Sequence, residues 1–228
     1  MSNVHIQVTM ASAEKLPDML HAACREGDLA TVKAIAGLVP PFDRHLAMAW
    51  ACRRGRLDAV ETVIRYGDVD VARFLQTFRC AFWQAAGVDG HMHVAQWLLD
   101  AGLTPSPEDW NKAFTAASIQ GFLACAQWVL CHGHGAVDVH SLCDKPFRRA
   151  AEKGRLHMAK WLLSLGHVHI HAHDNAAMAR AAGNGHMDFC RWLLGLDQDD
   201  AAWPQDVLQA LRFWSPARDV WMRSVLHN

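Results

Sequence analysis

Neither sign of charge dominates this chain of 228 residues, in which 22 lysines and arginines face 23 aspartates and glutamates. That near balance excludes the basic field that nucleic acid or anionic lipid calls for, and no acidic block invites a basic partner. Also missing are a basic leader with an apolar run behind it, since the chain opens MSNVHIQVTMASAEK, and any stretch approaching ~18 consecutive apolar residues. Secretion and membrane insertion are therefore not expected, and an intracellular, cytoplasmic protein is. The seven cysteines (24, 52, 80, 125, 131, 143 and 190) form no CxxC pair, no zinc-finger spacing and no even disulfide frame, which fits a reducing compartment. There is no N-x-S/T acceptor. HExxH, P-loop, GxSxG and dinucleotide glycine signatures are all absent, so no nucleophile, base and oxyanion site can be named together. Neither an enzyme nor a cofactor is expected.

What the chain does have is apolar content, 51% against 20% charged, enough for a sizeable core, and that content is periodic. Six glycines serve as anchors: Gly27, Gly55, Gly90, Gly121, Gly154 and Gly185, spaced 28, 35, 31, 33 and 31 apart. Four positions before each stands an alanine (Ala23, Ala51, Ala86, Ala117, Ala150, Ala181), and three before it a small residue (Cys24, Cys52, Gly87, Ser118, Ala151, Ala182). Seven before it comes a large apolar residue: Leu20, Met48, Trp83, Phe114, Phe147 and Met178. Spacings of three and four put these on one helical face, with small residues where helices approach closely.

After each anchor a second helix is expected. It carries an apolar residue two positions on and an apolar pair at eight and nine, such as Leu98 with Leu99 and Leu162 with Leu163. A polar residue at six (Lys33, Glu61, Gln96, Gln127, Lys160, Arg191) marks the solvent edge. Gly67, Gly102, Gly133 and Gly166 stand where a left-handed cap would close that helix. Each unit reads as helix, tight turn, helix, loop, and units of this kind bury their core by stacking. Residues 1 to 12 show no periodicity and are expected to be mobile. Residues 13 to 196 hold the six units. Residues 197 to 228 continue weakly, with a helix ending near Trp214, a Ser215 cap and a second helix through Leu226, as a degenerate capping unit.

These residues resemble the ankyrin repeats. KPFRRAAEKGRLHMAKWLLSLG, Lys145 to Gly166, is similar to the family pattern T-P-L-H-x-A-A-x-x-G-H-x-x-V-V-x-L-L-L-x-x-G, as are HAACREGDLATVKAI and RAAGNGHMDFCRWLL. The resemblance implies an all-α, ankyrin-type solenoid of stacked helix-turn-helix repeats with extended finger loops. T-P-L-H itself is nearly gone, with only His21 and Pro146 kept, so its hydrogen-bonded turn must be built otherwise. Trp97, Trp128, Trp161 and Trp192 fill a position usually aliphatic, a style similar to divergent repeats of giant viruses, protists and intracellular bacteria. The four tryptophans could form a contact strip or fill space between second helices.

Pre-anchor positions and fingers form the binding face of the family, and the resemblance implies the same here. Candidate partner contacts are thus Arg25, Arg53, Arg54, Asp89, Gln120 and Lys153, beside Glu152, together with finger residues Asp138, His140, His169, His171 and His173. The alternative is an ordinary solvated edge. The run GHVHIHAHD places His167, His169, His171 and His173 at every second position, on one face if the segment is extended. It could contact a partner, hold a metal, or be wet surface, and a metal would need three or four ligands at fixed distances. Cys131, His132 and His134 are a weaker metal candidate. Cys24 and Cys52 read as small core residues. The expected function is a non-enzymatic scaffold or adaptor that binds another protein. A metal- or pH-responsive switch built on the histidine fingers and a spacer within an assembly are the other readings.

Overall fold

In a computed structural model the described residues are 13–166, 168–196, 203–205, 207 and 208. His167, the segment 1–12 and most of the expected cap over 197–228 lie outside them. Among the described residues every regular element is a helix. In chain order they are α1 (Leu16–Glu26), α2 (Leu29–Ile35), α3 (Pro41–Arg53), α4 (Leu57–Gly67), α5 (Val71–Thr77), α6 (Cys80–Trp83), α7 (Met92–Asp100) and α8 (Pro107–Gln120). They continue with α9 (Leu123–His132), α10 (Ser141–Glu152), α11 (Leu156–Ser164), α12 (Ala172–Gly183) and α13 (Met187–Leu196). Two compact units result, one from residues up to Ala117 with Ala124–Val137, the other from Ser118–Leu123 with the described residues from Asp138 onward.

Each anchor glycine joins two helices of a hairpin. All six sit at positive φ, between 63° and 82°, a conformation that costs an L-residue strain and glycine little. In the first hairpin the Gly27 amide donates to Ala23 O at 2.8 Å, closing α1, and Asp28 caps α2 by accepting from the amides of Ala30 and Thr31. The anchor is also covered from outside. A Cβ on Gly27 would lie 3.3 Å from the Arg56 guanidinium, and one on Gly55 would lie 2.7 Å from the His91 ring. In the second unit a Cβ on Gly121 would meet Arg155 at 2.8 Å, and one on Gly154 would meet His186 at 2.5 Å. At these four anchors the covering residue is the one directly after the next anchor, so the following hairpin lays a side chain over the turn before it, whereas Gly185 has nothing within 4 Å.

Hairpins stack side by side within each unit: α1 packs on α3 and α2 on α4 in the first, α10 on α12 in the second. The alanines four before each anchor are all buried, which is what lets the first helices touch, and the residue eight after it is buried every time (Ile35, Val63, Leu98, Val129, Leu162, Leu193). Phe74, Phe82 and Phe114 fill the core of one unit, Phe147 and Phe189 that of the other. Each such ring contributes about 1.5 to 3 kcal/mol by leaving water. Cys24, Cys52 and Cys190 are buried among them, and burial pushes each thiol up to about 12.

Three expectations are corrected. Trp83 is only half-buried, and Phe82 takes its place, because residues Gln84–Val88 form a π-turn in which the Asp89 amide reaches back to Gln84 O. The extra residue per turn rotates the helix by one position. Gly67 and Gly133 are not left-handed caps. That conformation falls on Asp68, and on His134 with Gly135, while Gly67 is covered by Arg44, whose guanidinium donates to its carbonyl, and Gly133 is needed because a Cβ would lie 2.7 Å from Val137. Helix α5 was not expected. It occupies the 35-residue spacing, starts at Asp70, whose carboxylate accepts from the Arg73 amide, and buries Phe74 and Leu75.

Candidate binding site

The histidine run does not form an extended arm. Only Val168 and His169 lack a turn; the chain bends at Ile170 and His171, the Ala172 amide donating to His169 O at 2.9 Å. His173, Asp174 and Asn175 then take three successive left-handed conformations, with φ of 54°, 54° and 62°. The period-two argument fails here because it presupposes a strand. An identical turn lies 31 residues earlier, at Leu142, Cys143 and Asp144, with φ of 52°, 55° and 58°. Left-handed geometry costs a non-glycine residue about 1 to 2 kcal/mol each, so both turns need support.

The support is a histidine reaching four residues ahead. Nδ1 of His140 donates to Asp144 Oδ1 at 2.6 Å, and Nδ1 of His171 to Asn175 Oδ1 at 2.6 Å. Asp144, 1% exposed, uses its other oxygen to accept the His169 amide at 2.9 Å, so the first turn holds the start of the second finger. Arg148 locks the first turn further, Nη2 donating to Leu142 O at 2.8 Å and Nε to Cys143 O at 3.0 Å. This arginine is the fourth residue of KPFR, Lys145 to Arg148, and it ties that first turn to the helix that follows. In the second finger the His171 ring packs instead on buried Trp203, centroids 4.4 Å apart.

Together the two fingers enclose an open cavity of about 1070 Å³. Its lining includes His140, His169, His171 and His173, with Cys143 and Asp144; Val168 and Ile170 supply apolar wall. Four of the finger residues named from sequence are thus brought to one place, while Asp138 is exposed beside it, its carboxylate accepting the His140 amide at 2.9 Å. Among the described residues no three His, Cys, Asp or Glu side chains are grouped as metal ligands. His132 is engaged elsewhere, stacked on Trp128 with Nδ1 donating to Trp128 O.

The pre-anchor residues fall in separate groups. Arg53 lies over the Trp50 ring, 5.0 Å to the centroid, and Arg53, Arg54 and His91 all act on Asp89. That carboxyl is held above its ordinary value by burial, which outweighs the opposing charges, and its Oδ2 has no hydrogen-bond partner. Burial likewise lowers His91, against the pull of Asp89. Arg25 is exposed and pairs loosely with Glu26 at 3.7 Å; Gln120 is half-buried at the end of α8, and Lys153 is exposed beyond α10. Glu152 binds Arg149 at 2.8 Å and Arg180 at 3.3 Å, and hydrogen bonding from Arg149 holds its carboxyl below the usual value. Of the tryptophan column, Trp128 packs on Trp110 and Trp192 on Phe147 and Phe189, filling space between helices.

Sequence reasoning missed Asp144, Asn175 and Arg148. The signal was present as H-x-x-x-[DN] in HSLCD and HAHDN, 31 residues apart and in register with the anchors. The sequence matches no protein-family model and no curated protein. No helix among the described residues is long and apolar enough to cross a membrane.

Proposed function

We propose that the chain is a non-enzymatic interaction module built of ankyrin-type repeats, which holds a partner protein at its finger face. The ankyrin reading is supported by the in-register anchors, the buried alanine column, and the side chain laid over the turn at Gly27, Gly55, Gly121 and Gly154 by the hairpin that follows. The functional reading is carried by one observation: two successive fingers place four histidines around a single open cavity of about 1070 Å³ with apolar wall between them. A cavity that size, part polar and part apolar, suits a projecting side chain or loop of another protein. Repeat proteins of this kind bind through surfaces and need no nucleophile, and fold alone does not assign the role.

The test is site-specific photocrosslinking. A benzophenone amino acid in place of exposed His169 or His173 should yield a discrete protein adduct in extract of the native source, and the same group at Lys33 or Lys160 on the outer edge should not. Equal adducts from both sets, or none from the fingers, would sink the proposal. A proton-responsive version is favoured by the gathering of four histidines at one cavity, histidine being the side chain whose charge changes near neutral pH. It predicts that adduct yield from His173 depends on pH and loses that dependence in His140→Gln.

A further inference from the structure

Beside the histidine cavity lies a second one, of about 480 Å³, which Leu142 and Cys143 of the first left-handed turn help to line. Lys145, Arg148, Arg149 and Arg180 line it, with Cys143 and His173 shared between the two cavities. Four fixed positive charges therefore converge on one concave surface. Two carboxylates stand near them. Glu152 is paired with both Arg149 and Arg180, and Asp144 is already engaged by His140 and by the His169 amide.

Arg148 is the unusual member. It is 8% exposed, and its guanidinium is bonded to two backbone carbonyls, Leu142 O and Cys143 O, which carry no formal charge. Burial, and after it the like charge of Arg180, lowers its hold on the proton. A buried cation is ordinarily matched by a carboxylate in contact with it. Arginine forks bind tetrahedral oxyanions in a bidentate manner, and converging arginines with a lysine are the donor set that phosphoryl recognition uses.

We propose that this cavity is a binding site for a phosphoryl oxyanion, held by Lys145, Arg148, Arg149 and Arg180. The oxyanion reaches the cavity either free or on a phosphorylated side chain. The site stands whether or not the histidine cavity takes a protein partner, because its donors face a different cavity.

Titration of the intact chain with inorganic phosphate, at constant ionic strength set with chloride and followed by NMR of the arginine Nε–H and backbone amide signals, tests it. Saturable shifts centred on Arg148, Arg149 and Arg180 are expected. They should weaken about tenfold in Lys145→Ala and further in Lys145→Ala with Arg180→Gln, as loss of charge-assisted bonds implies. The control Lys160→Ala with Arg191→Gln removes two charges from the outer edge of the same unit and should bind as the parent does. Lys145 makes no bond that holds the turn, so the single variant stays informative should the double one fail to fold. Unsaturable shifts, or equal weakening in the control, would overturn the proposal as diffuse electrostatics. A short phosphoserine peptide that competes for the same signals while its unphosphorylated form does not assigns a protein-borne phosphoryl group; inorganic phosphate alone binding assigns a free one.

Discussion

The finger at 138–144 and the finger at 169–175 trace one backbone path with two chemistries. Both take three consecutive left-handed residues, and both brace them with a histidine Nδ1 bonded 2.6 Å away to the residue four ahead. The first uses a carboxylate, buried and double-engaged, and adds Arg148 beneath the turn. The second uses a neutral amide, has Ala179 at the position of Arg148, and lays its imidazole on Trp203. The path is therefore a property of the histidine-to-Asx bond. What differs is the means of fastening: charge ties the first finger to the rest of its unit, and aromatic packing ties the second.

The sharpest way to break that contrast is truncation. Asp144→Ala strips partners from the His140 ring and the His169 amide in a buried place, where each unsatisfied group costs about 1 to 3 kcal/mol. A loss of about 2 to 4 kcal/mol in urea denaturation is expected, and a smaller one for Asn175→Ala, because bonds to a neutral amide are weaker than bonds to a carboxylate. Equal losses would mean that the two fastenings are equivalent. Asp144→Asn tests the same point more gently, giving the first finger the chemistry of the second, and should fall between.

Removing the arginine comes next. Arg148→Ala leaves two carbonyls of a strained turn without donors and should cost about 1 to 3 kcal/mol, read from the same denaturation midpoint. Ala179→Arg offers the second finger the missing brace, and an unchanged midpoint there would show that Trp203 already suffices.

A pH series probes a contrast with the fingers, at two histidines of the first unit. His45, buried between the rings of Phe74 and Phe78, is held below its ordinary 6.5 by burial and then by the charge of Arg73; His91 is lowered chiefly by burial. With both depressed, the unfolded chain takes up protons first as pH falls through 6.5, so stability drops until the folded-state values are passed. His45→Phe should flatten part of that acid loss in thermal melts. An unaltered slope in His45→Phe would show that His45 stays solvated.

The smallest effect concerns strain itself. Leu142 is 69% exposed at φ 52°, so Leu142→Gly gives up little packing and relieves a left-handed L-residue. A gain of about 0.5 to 1 kcal/mol is expected after the extra freedom of the unfolded chain is counted. The matching His173→Gly should show the same sign, and a loss in either would mean that the turn is held by that side chain rather than in spite of it.

The hairpins were legible in the sequence because the features that make them are local and repeated: glycine at a positive φ, alanine four before it, an apolar residue eight after. Helix α5 was hidden because it occurs once, so no second copy marks it. The π-turn at Gln84–Val88 was hidden because one extra residue per turn leaves composition untouched. At the candidate site the histidines were found by type and spacing, but their arrangement was read wrongly, since three left-handed residues without a glycine have no usual sequence mark. Asp144 was missed for a different reason: one of its partners, the His169 amide, is 25 residues away, and no local window contains both.

One joint in the second unit has a consequence for how such a chain can lengthen or shorten. Arg155 lies over Gly121 and His186 over Gly154, each being the first residue after its own anchor. Excising Arg155 to Gly185 would splice Gly154 directly to His186 and present a histidine to Gly121 where an arginine had been. At these two glycines the lid and the turn that it covers are encoded in different cassettes, so this cut exchanges one lid for another and leaves Gly121 covered. Gene-level duplication or loss of whole repeats thus meets a junction that is chemically interchangeable, and a shortened chain recombined at these glycines should keep its helical spectrum.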